Sequence, residues 1–466
     1  MQSAGDVLEK NRSSKTIPTV STVLRDGTIL EMVCQPAERR TTFVVWRDSA
    51  WSYQQTVAID PLHQLVPYAY HNNLIKHEVV LFPSEPEEYS SDETLLAEIQ
   101  AFIHRYVDVS PFFEKIASYY VLFSWVHDGF NELPYLRVRG DPGSGKTRFL
   151  LTIGSICYKP IFASGASTVS PIFRMLDAFR GTLVIDESDF RFSDEKAEMV
   201  KILNNGNVRG FPVLRSEATN RGEFDPRAYH VFGPKIVAAR GFFDDRALES
   251  RFLTEEMGQV RLRDEVPINL PGSHKEEALH LRNKLLLFRF RNFGKQRLSE
   301  TLVDRTIEPR LNQIFAPLLS LVADSKMRDQ FREVIRQYNR DIVSERSMDT
   351  EAQLLEVIQS LLADPESTKL SVSEIATRFT ELHGDEYKWN ITPRWIGQVI
   401  RKRLGLKTLK SHGVFVIPAP EQIKLGRLFE KYGVDIDAPP TPSGRASPIR
   451  VDLGDVGDIE SGSQDG

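Results

Sequence analysis

The sequence predicts a multidomain α/β protein. A central parallel sheet carries a helical lid behind it, a small β-rich domain precedes it, and a three-helix module with a β-hairpin follows. Three observations predict this. The chain has 466 residues, room for about three domains at roughly 150 residues each. Strand and helix patterns alternate from Leu133 to about Gln259, the signature of a parallel sheet with crossover helices. Past residue 347 a separate set of three amphipathic helices and a hairpin repeats no part of that alternation.

Taken in order, residues 1–16 are polar. Thr19–Leu24, Ile29–Val33, Thr42–Trp46 and Glu78–Phe82 read as short strands broken by turns such as Asp26-Gly27, giving a β-rich domain over 1–83. Residues 83–93 are acidic and rich in proline and serine, a linker composition. Helical patterns follow over Leu95–Val107 and Pro111–His127, so 84–132 leads into the sheet domain at 133–260. Lys275 to Tyr338 is helical and highly charged, within a lid at 261–346. The three-helix module occupies 347–420, and a helix with a Pro/Gly/Ser-rich tail expected to be disordered closes the chain at 421–466.

Composition excludes several classes. Charged residues are 26% of the chain and the net charge is −5, so a uniformly basic nucleic-acid coat protein is ruled out while local basic surfaces are not. Two cysteines, Cys34 and Cys157, cannot build a zinc finger or a disulfide framework, and they fit a reducing cytoplasm. The first fifteen residues lack the apolar stretch of a secretory leader, and no run of about 18 apolar residues exists to span a membrane.

The strand Leu136–Arg139 runs into Gly140-Asp141-Pro142-Gly143-Ser144-Gly145-Lys146-Thr147 and then into an apolar helix. This spacing, in a strand–loop–helix setting, suits a nucleotide polyphosphate. Glycines let backbone N–H groups curl around phosphates, and the helix N-terminus adds partial positive charge. Lys146 is placed to reach the β- and γ-phosphates, and Thr147 Oγ1 to hold Mg²⁺. About forty residues on, the apolar strand Leu183-Val184-Ile185 ends in Asp186-Glu187. Asp186 is the second expected Mg²⁺ residue, and Glu187 the base that polarises an attacking water. Asp189 reads as a surface or capping residue.

A third feature is the strand Lys235–Arg240 followed by Asp244-Asp245-Arg246-Ala247-Leu248-Glu249-Ser250-Arg251-Phe252. With the two motifs above, it resembles the AAA+ ATPases, and more narrowly the primase/helicase-type ATPases of phages, plasmids and integrated elements, near the superfamily 3 helicases. The likeness runs from roughly Leu95 to Pro418. It implies ATP and Mg²⁺, and a ring of like subunits, expected to be a hexamer. Arg251 would be an arginine finger that offsets charge on the neighbouring subunit's γ-phosphate. The sequence departs from the family where a polar sensor is expected: Ala239 stands there, with Arg240 as the substitute. Arg310 is the first choice for a lid arginine at the phosphates, and Arg282 the second.

Two segments point to DNA. The insert Gly206–His230 reads as a hairpin turning at Asn220-Arg221-Gly222, and Arg209, Arg215 and Arg221 would charge it. In superfamily 3 motors a hairpin here enters the central channel. In the C-terminal module Thr350–Ala363, with Leu354, Leu355, Ile358 and Leu362 on one side, and Val372–His383 are the first two helices. Thr392 caps the third and Pro393 opens it. Arg394, Gln398, Arg401 and Lys402 face outward from that helix, and Lys407 and Lys410 lie on the hairpin after it, giving a winged helix-turn-helix. No acid occurs from Tyr387 to Pro420, a local field suited to phosphate. The leading expectation is a DNA-dependent ATPase acting as a helicase-like replication motor. An ATP-switched initiator, loader or transposition regulator that does not translocate stays open. So does an ATPase whose winged helix docks a replication or host protein.

Overall fold

The computed structural model describes residues 15–186, 194–218, 224–241, 243, 245–258, 262–295, 298–347, 350–363, 370–384, 387, 391–411 and 413–434. The chain separates into two compact units, Met1–Ile335 and Arg336–Gly466.

The first unit begins with β1 (Lys15–Thr19), β2 (Ser21–Val23), β3 (Ile29–Gln35), β4 (Arg40–Arg47), β5 (Ala50–Gln54), β6 (Val57–Asp60) and β7 (His63–Pro67). They form an antiparallel sheet in the order β2-β3-β4-β5 and a three-stranded sheet β1-β7-β6. Residues 78–82 are not the strand that their apolar alternation suggests. Only Val80 makes a bridge there, to Ile161, and the segment runs as an irregular strap that buries Val80 and Phe82. Nor are residues 83–93 a solvated linker. Asn283 Oδ1 accepts from Ser84 N and Glu85 N at 2.9 and 3.4 Å, and Glu87 and Glu88 pair with His280 and Arg291. Linker composition here reflects acids that answer a basic helix face.

After the short helix α1 (Asn73–Lys76) come α2 (Asp92–Tyr106) and α3 (Pro111–Val126). Ser91 and Ser110 cap them, each hydroxyl accepting a backbone N–H of the first turn. The central sheet follows: β8 (Tyr135–Arg139), α4 (Lys146–Ile156), β9 (Ile161–Ser164), α5 (Val169–Phe179), β10 (Leu183–Asp186) and α6 (Asp194–Asn205). Next are the hairpin β11 (Val213–Ala218) and β12 (Phe224–Tyr229), then β13 (Lys235–Ala239), α7 (Arg246–Glu249) and β14 (Phe252–Glu256). The sheet order is β14-β8-β13-β10-β9, all parallel. Strands β10 and β13, inside the sheet, are mostly apolar and buried, as covering both faces requires. Parallel pairing puts the loops after β8, β10 and β13 at one edge of the sheet, where ligands of such sheets bind.

Helices α8 (Ser273–Asn292), α9 (Pro309–Leu319) and α10 (Ser325–Ser347) complete the segment expected to be helical. Arg289 of α8 is 1% exposed. It donates to Glu31 Oε1 at 2.6 Å and to both oxygens of Asp128 at 2.7 Å, and neighbouring Phe290 stacks on Trp46. A buried cation is tolerated only when so paired, and this one ties β3 to the end of α3 and to α8.

Lys235 is also fully buried. Its Nζ donates to the carbonyls of Gly206, Val231 and Gly233, fastening the base of the β11–β12 hairpin to β13. Burial, with Arg251 as the nearby charge, brings its ammonium from an ordinary 10.5 down to about 7. The unfolded chain therefore holds that proton up to a higher pH than the folded one. The penalty is full below about pH 7 and is relieved as pH rises above it. Lys159, buried and brought down to about 8, acts with the same sign. The thermal midpoint should climb from about pH 7 to about pH 9, and by less in Lys235→Met. Scanning calorimetry of both proteins checks this, and equal slopes would place the titration elsewhere.

The second unit holds α11 (Thr350–Ala363), α12 (Val372–His383), α13 (Pro393–Lys402), β15 (Leu409–Ser411), β16 (Val414–Val416) and α14 (Gln422–Tyr432). Thr392 Oγ1 accepts from Trp395 N at 3.2 Å, and Pro393 opens α13. Leu354, Ile358, Ile375, Phe379, Ile396, Val399, Ile400 and Leu404 share one core, with Leu425 and Phe429 of α14. One position differs from the expected stripe: Leu361 is buried and Leu362 is exposed. Among the described residues no helix is long and apolar enough to cross a membrane.

Candidate functional site

The loop from Gly140 to Gly145 joins β8 to α4 and sits at the C-terminal edge of the sheet. Gly143 and Gly145 have φ of +84° and +93°, the left-handed region that only glycine enters cheaply. A Cβ on Gly140 would lie 2.5 Å from Met257 O, so the loop's first glycine is set by the chain crossing it. Lys146 Nζ donates to Gly140 O and Asp141 O at 2.7 Å each, which lays the side chain back over the loop. Thr147 Oγ1 donates to Asp186 Oδ2 at 2.7 Å. The structure thus brings together two residues thirty-nine positions apart that were singled out for Mg²⁺. Ser144 Oγ is buried inside the loop without a hydrogen-bond partner. A cradle of backbone N–H groups, an orphaned hydroxyl and a Thr–Asp oxygen pair fit a nucleotide's phosphates and their metal.

The loop lines a cleft of about 1230 Å³. Val107–Pro111, between α2 and α3, form one wall, and Met257, Gly258, Leu262, Arg263, Val266 and Ile268 form another. Arg263 holds the two together, donating to Asp108 Oδ1 at 2.9 Å and to the carbonyls of His104 and Val107. Arg148 secures the far end of the second wall by donating to Pro267 O and Ile268 O. Arg240, directly after β13, also lines the cleft. Glu255 faces it with its carboxyl pushed up by burial, and it accepts from Ser110 N at 2.7 Å. These walls were not legible in the sequence, because they come from segments about 150 residues apart.

Other singled-out residues stand elsewhere. Glu187 lies outside the described residues, as do Asp189 and Arg221. Arg251 precedes β14. Phe252 pairs with Tyr135 and Glu256 with Arg139, so Arg251 sits at the opposite end of the sheet from its own loop. Five residues of strand separate the two ends, about 16 Å at a rise of about 3.3 Å per residue. Helix α7 is a single turn and stops at Glu249, so Arg251 leaves from the turn after it. Neither acid near it in sequence takes it up: Glu249 pairs with Arg137, and Glu255 binds Ser110. Arg251 Nη1 donates to Asn204 Oδ1, and burial, with the Arg310 charge second, pulls the Arg251 pKa down. Arg310 does not line the cleft. Arg282 is buried and donates to Phe82 O and Ser155 O, a structural tie.

Arg209 is not part of the hairpin. It donates to Asp128 O and Phe130 O at 2.7 and 3.2 Å and lies over Phe232. Arg215 is on β11, paired with Glu198 at 3.1 Å and lying over Phe173. Beside the exposed Ser216, Asp225 and Arg227, the hairpin also exposes two large apolar side chains, Leu214 and Phe224. Hydropathy alone could not mark them, since alternating strands expose apolar residues routinely. In the second unit Arg394, Gln398, Arg401, Lys402, Lys407 and Lys410 are all exposed, and Arg401 Nη1 donates to Thr408 Oγ1 at 3.2 Å.

No family model matches the chain, and no curated protein does. Among solved structures it is similar to the C-terminal region of NrS-1, at 10% identity and a TM-score of 0.35, over 83% of this chain and 96% of that one. It is also similar to a full-length MCM homologue from Methanopyrus kandleri, at 13% identity and 0.34, over 65% and 68%. A third is JCV helicase with a bound inhibitor, at 11% and 0.24, over 54% and 62%. Likenesses this slight carry no weight against the geometry of the site.

Proposed function

We propose that this chain is an ATP-hydrolysing, DNA-dependent motor of AAA+ type, working as a helicase-like replication protein in a ring of its own copies, a hexamer. The observation that carries the reading is the contact of Thr147 Oγ1 with Asp186 Oδ2 at 2.7 Å beneath the glycine loop. Lys146, freed from the loop carbonyls, binds the β- and γ-phosphates, while the N–H groups of Gly143 to Thr147 surround them. Thr147 and Asp186 hold Mg²⁺, which offsets phosphate charge when bound. Glu187, next in sequence after Asp186, takes the proton of the attacking water. Arg240 reaches the phosphates from the end of β13. Arg251, far from its own loop, and Arg310 beside it act on the nucleotide of the neighbouring subunit. This supports a ring over a monomer, because within one subunit those charges have no phosphate to meet.

The second unit is read as a winged helix that holds DNA. Its exposed α13 cations and the lysines of the wing support that reading. Lys407→Ala/Lys410→Ala should weaken binding about equally for all sequences, and should reduce the slope of log K against log salt by about one to two. Arg394→Ala/Arg401→Ala should do more harm to a preferred site than to random DNA. Fluorescence anisotropy at several salt concentrations checks both. Unchanged affinity and slope in both variants would favour a protein partner for this module.

A strand-displacement assay on forked DNA tests the motor itself. ATP-dependent unwinding is expected. DNA-stimulated hydrolysis without unwinding would favour the non-translocating initiator or loader.

A further inference from the structure

We infer that Arg137, Glu249 and Asn204 are positioning residues that fix where Arg251 is presented to the neighbouring subunit, an inference that rests on the trans role proposed above for Arg251. Arg137 lies in the middle of β8, between β14 and β13, and is 1% exposed. Its Nη1 and Nη2 donate to the two oxygens of Glu249 at 2.7 and 2.6 Å, and its Nε donates to Thr254 Oγ1 at 3.0 Å. Glu249 also accepts from Phe243 N, and the Arg137 guanidinium lies 4.8 Å over the Phe252 ring. A buried, fully satisfied pair of this kind contributes little net stability over an apolar one, so what it supplies is geometry. The geometry it sets is that of the last residue of α7, two positions before Arg251.

A second hold comes from α6. Asn204 Oδ1 accepts from Arg251 Nη1, and Asn204 Nδ2 donates to Asp245 Oδ2 at 2.6 Å. One amide therefore grips both ends of the segment Asp245–Arg251. Tyr135, next but one to Arg137, donates its hydroxyl to Leu203 O at 2.7 Å and its backbone N–H to Arg251 O at 2.8 Å, which keeps α6 and Arg251 in register. The two holds start from β8, which leads into the phosphate loop, and from α6, the helix after Asp186. Neither touches the subunit's own cleft. They place the guanidinium, and a misplacement of about 1 Å at such a group can cost about 100-fold in rate.

The test is steady-state ATP hydrolysis by the full-length chain. Arg137→Met/Glu249→Leu replaces the pair by apolar bulk, and Asn204→Ala removes the second hold at a half-buried helix end, should the core variant not fold. Each is expected to lower kcat by about 10- to 100-fold while leaving the KM for ATP and nucleotide binding near wild type. Mixed with Glu187→Gln subunits, each should regain activity, as Arg251→Ala should. Combining either with Arg251→Ala should do no further harm than Arg251→Ala alone. Wild-type kcat, a raised KM, no recovery in mixed assemblies, or losses that add to those of Arg251→Ala would each overturn the assignment. Arg251→Ala alone separates the two ideas. If it hydrolyses ATP normally the trans reading fails, and if it is defective and rescued while these variants are not, only the positioning role fails.

Discussion

Lys146→Ala is expected to abolish ATP hydrolysis in a protein that unfolds at the wild-type temperature. The side chain is half-buried and bonds only to the carbonyls of Gly140 and of the exposed Asp141, backbone acceptors of a loop rather than partners in the core. Its removal therefore costs little stability. What is lost, on the proposed reading, is the ammonium that would reach the phosphates from the glycine loop, where a point charge acts at short range with little competing water. Phosphate release and a thermal melt, measured on one preparation, check both halves. Normal turnover in the folded variant would remove the phosphate loop from the chemistry and the proposed function with it.

The second large effect belongs to Arg251. Arg251→Ala should bind ATP as the wild type does and hydrolyse it up to about 10³-fold more slowly, the range found when an arginine finger is withdrawn. Binding is spared because Arg251 lies at the end of its strand remote from its own loop. Mixing with Glu187→Gln subunits should restore part of the rate. In such rings some interfaces join an intact Glu187 to an intact Arg251. With subunit exchange demonstrated, an absence of recovery would show that Arg251 does not act across subunits.

The shape of the phosphate loop was legible in the sequence because all its parts are consecutive. A strand, three glycines at fixed spacing and a helix leave one local conformation. Asp186 was legible for a related reason: three apolar residues ending in acid mark a buried strand end, and parallel sheets align such ends. The C-terminal helices were legible through their 3.6-residue periodicity, and the misassigned Leu362 is one residue away from the buried Leu361. What escaped depends on partners distant in sequence. The ties of Arg209 to Asp128 and Phe130 span about eighty residues, and the pair of Arg137 with Glu249 spans 112. A buried arginine such as Arg137 needs a partner, since leaving it unpaired is prohibitively costly. Nothing in the sequence named it. Residues 78–93 misled for a simpler reason. Composition reports what a segment could do in water, and here α8 supplies the partners that water would otherwise provide.

The most direct measurement is the rate of phosphate release from ATP and Mg²⁺ by the full-length chain, with and without single- and double-stranded DNA, beside Lys146→Ala as the control. Hydrolysis that DNA accelerates and that Lys146→Ala eliminates is the predicted result. A folded wild-type protein that releases no more phosphate than Lys146→Ala, with or without DNA, would contradict the account.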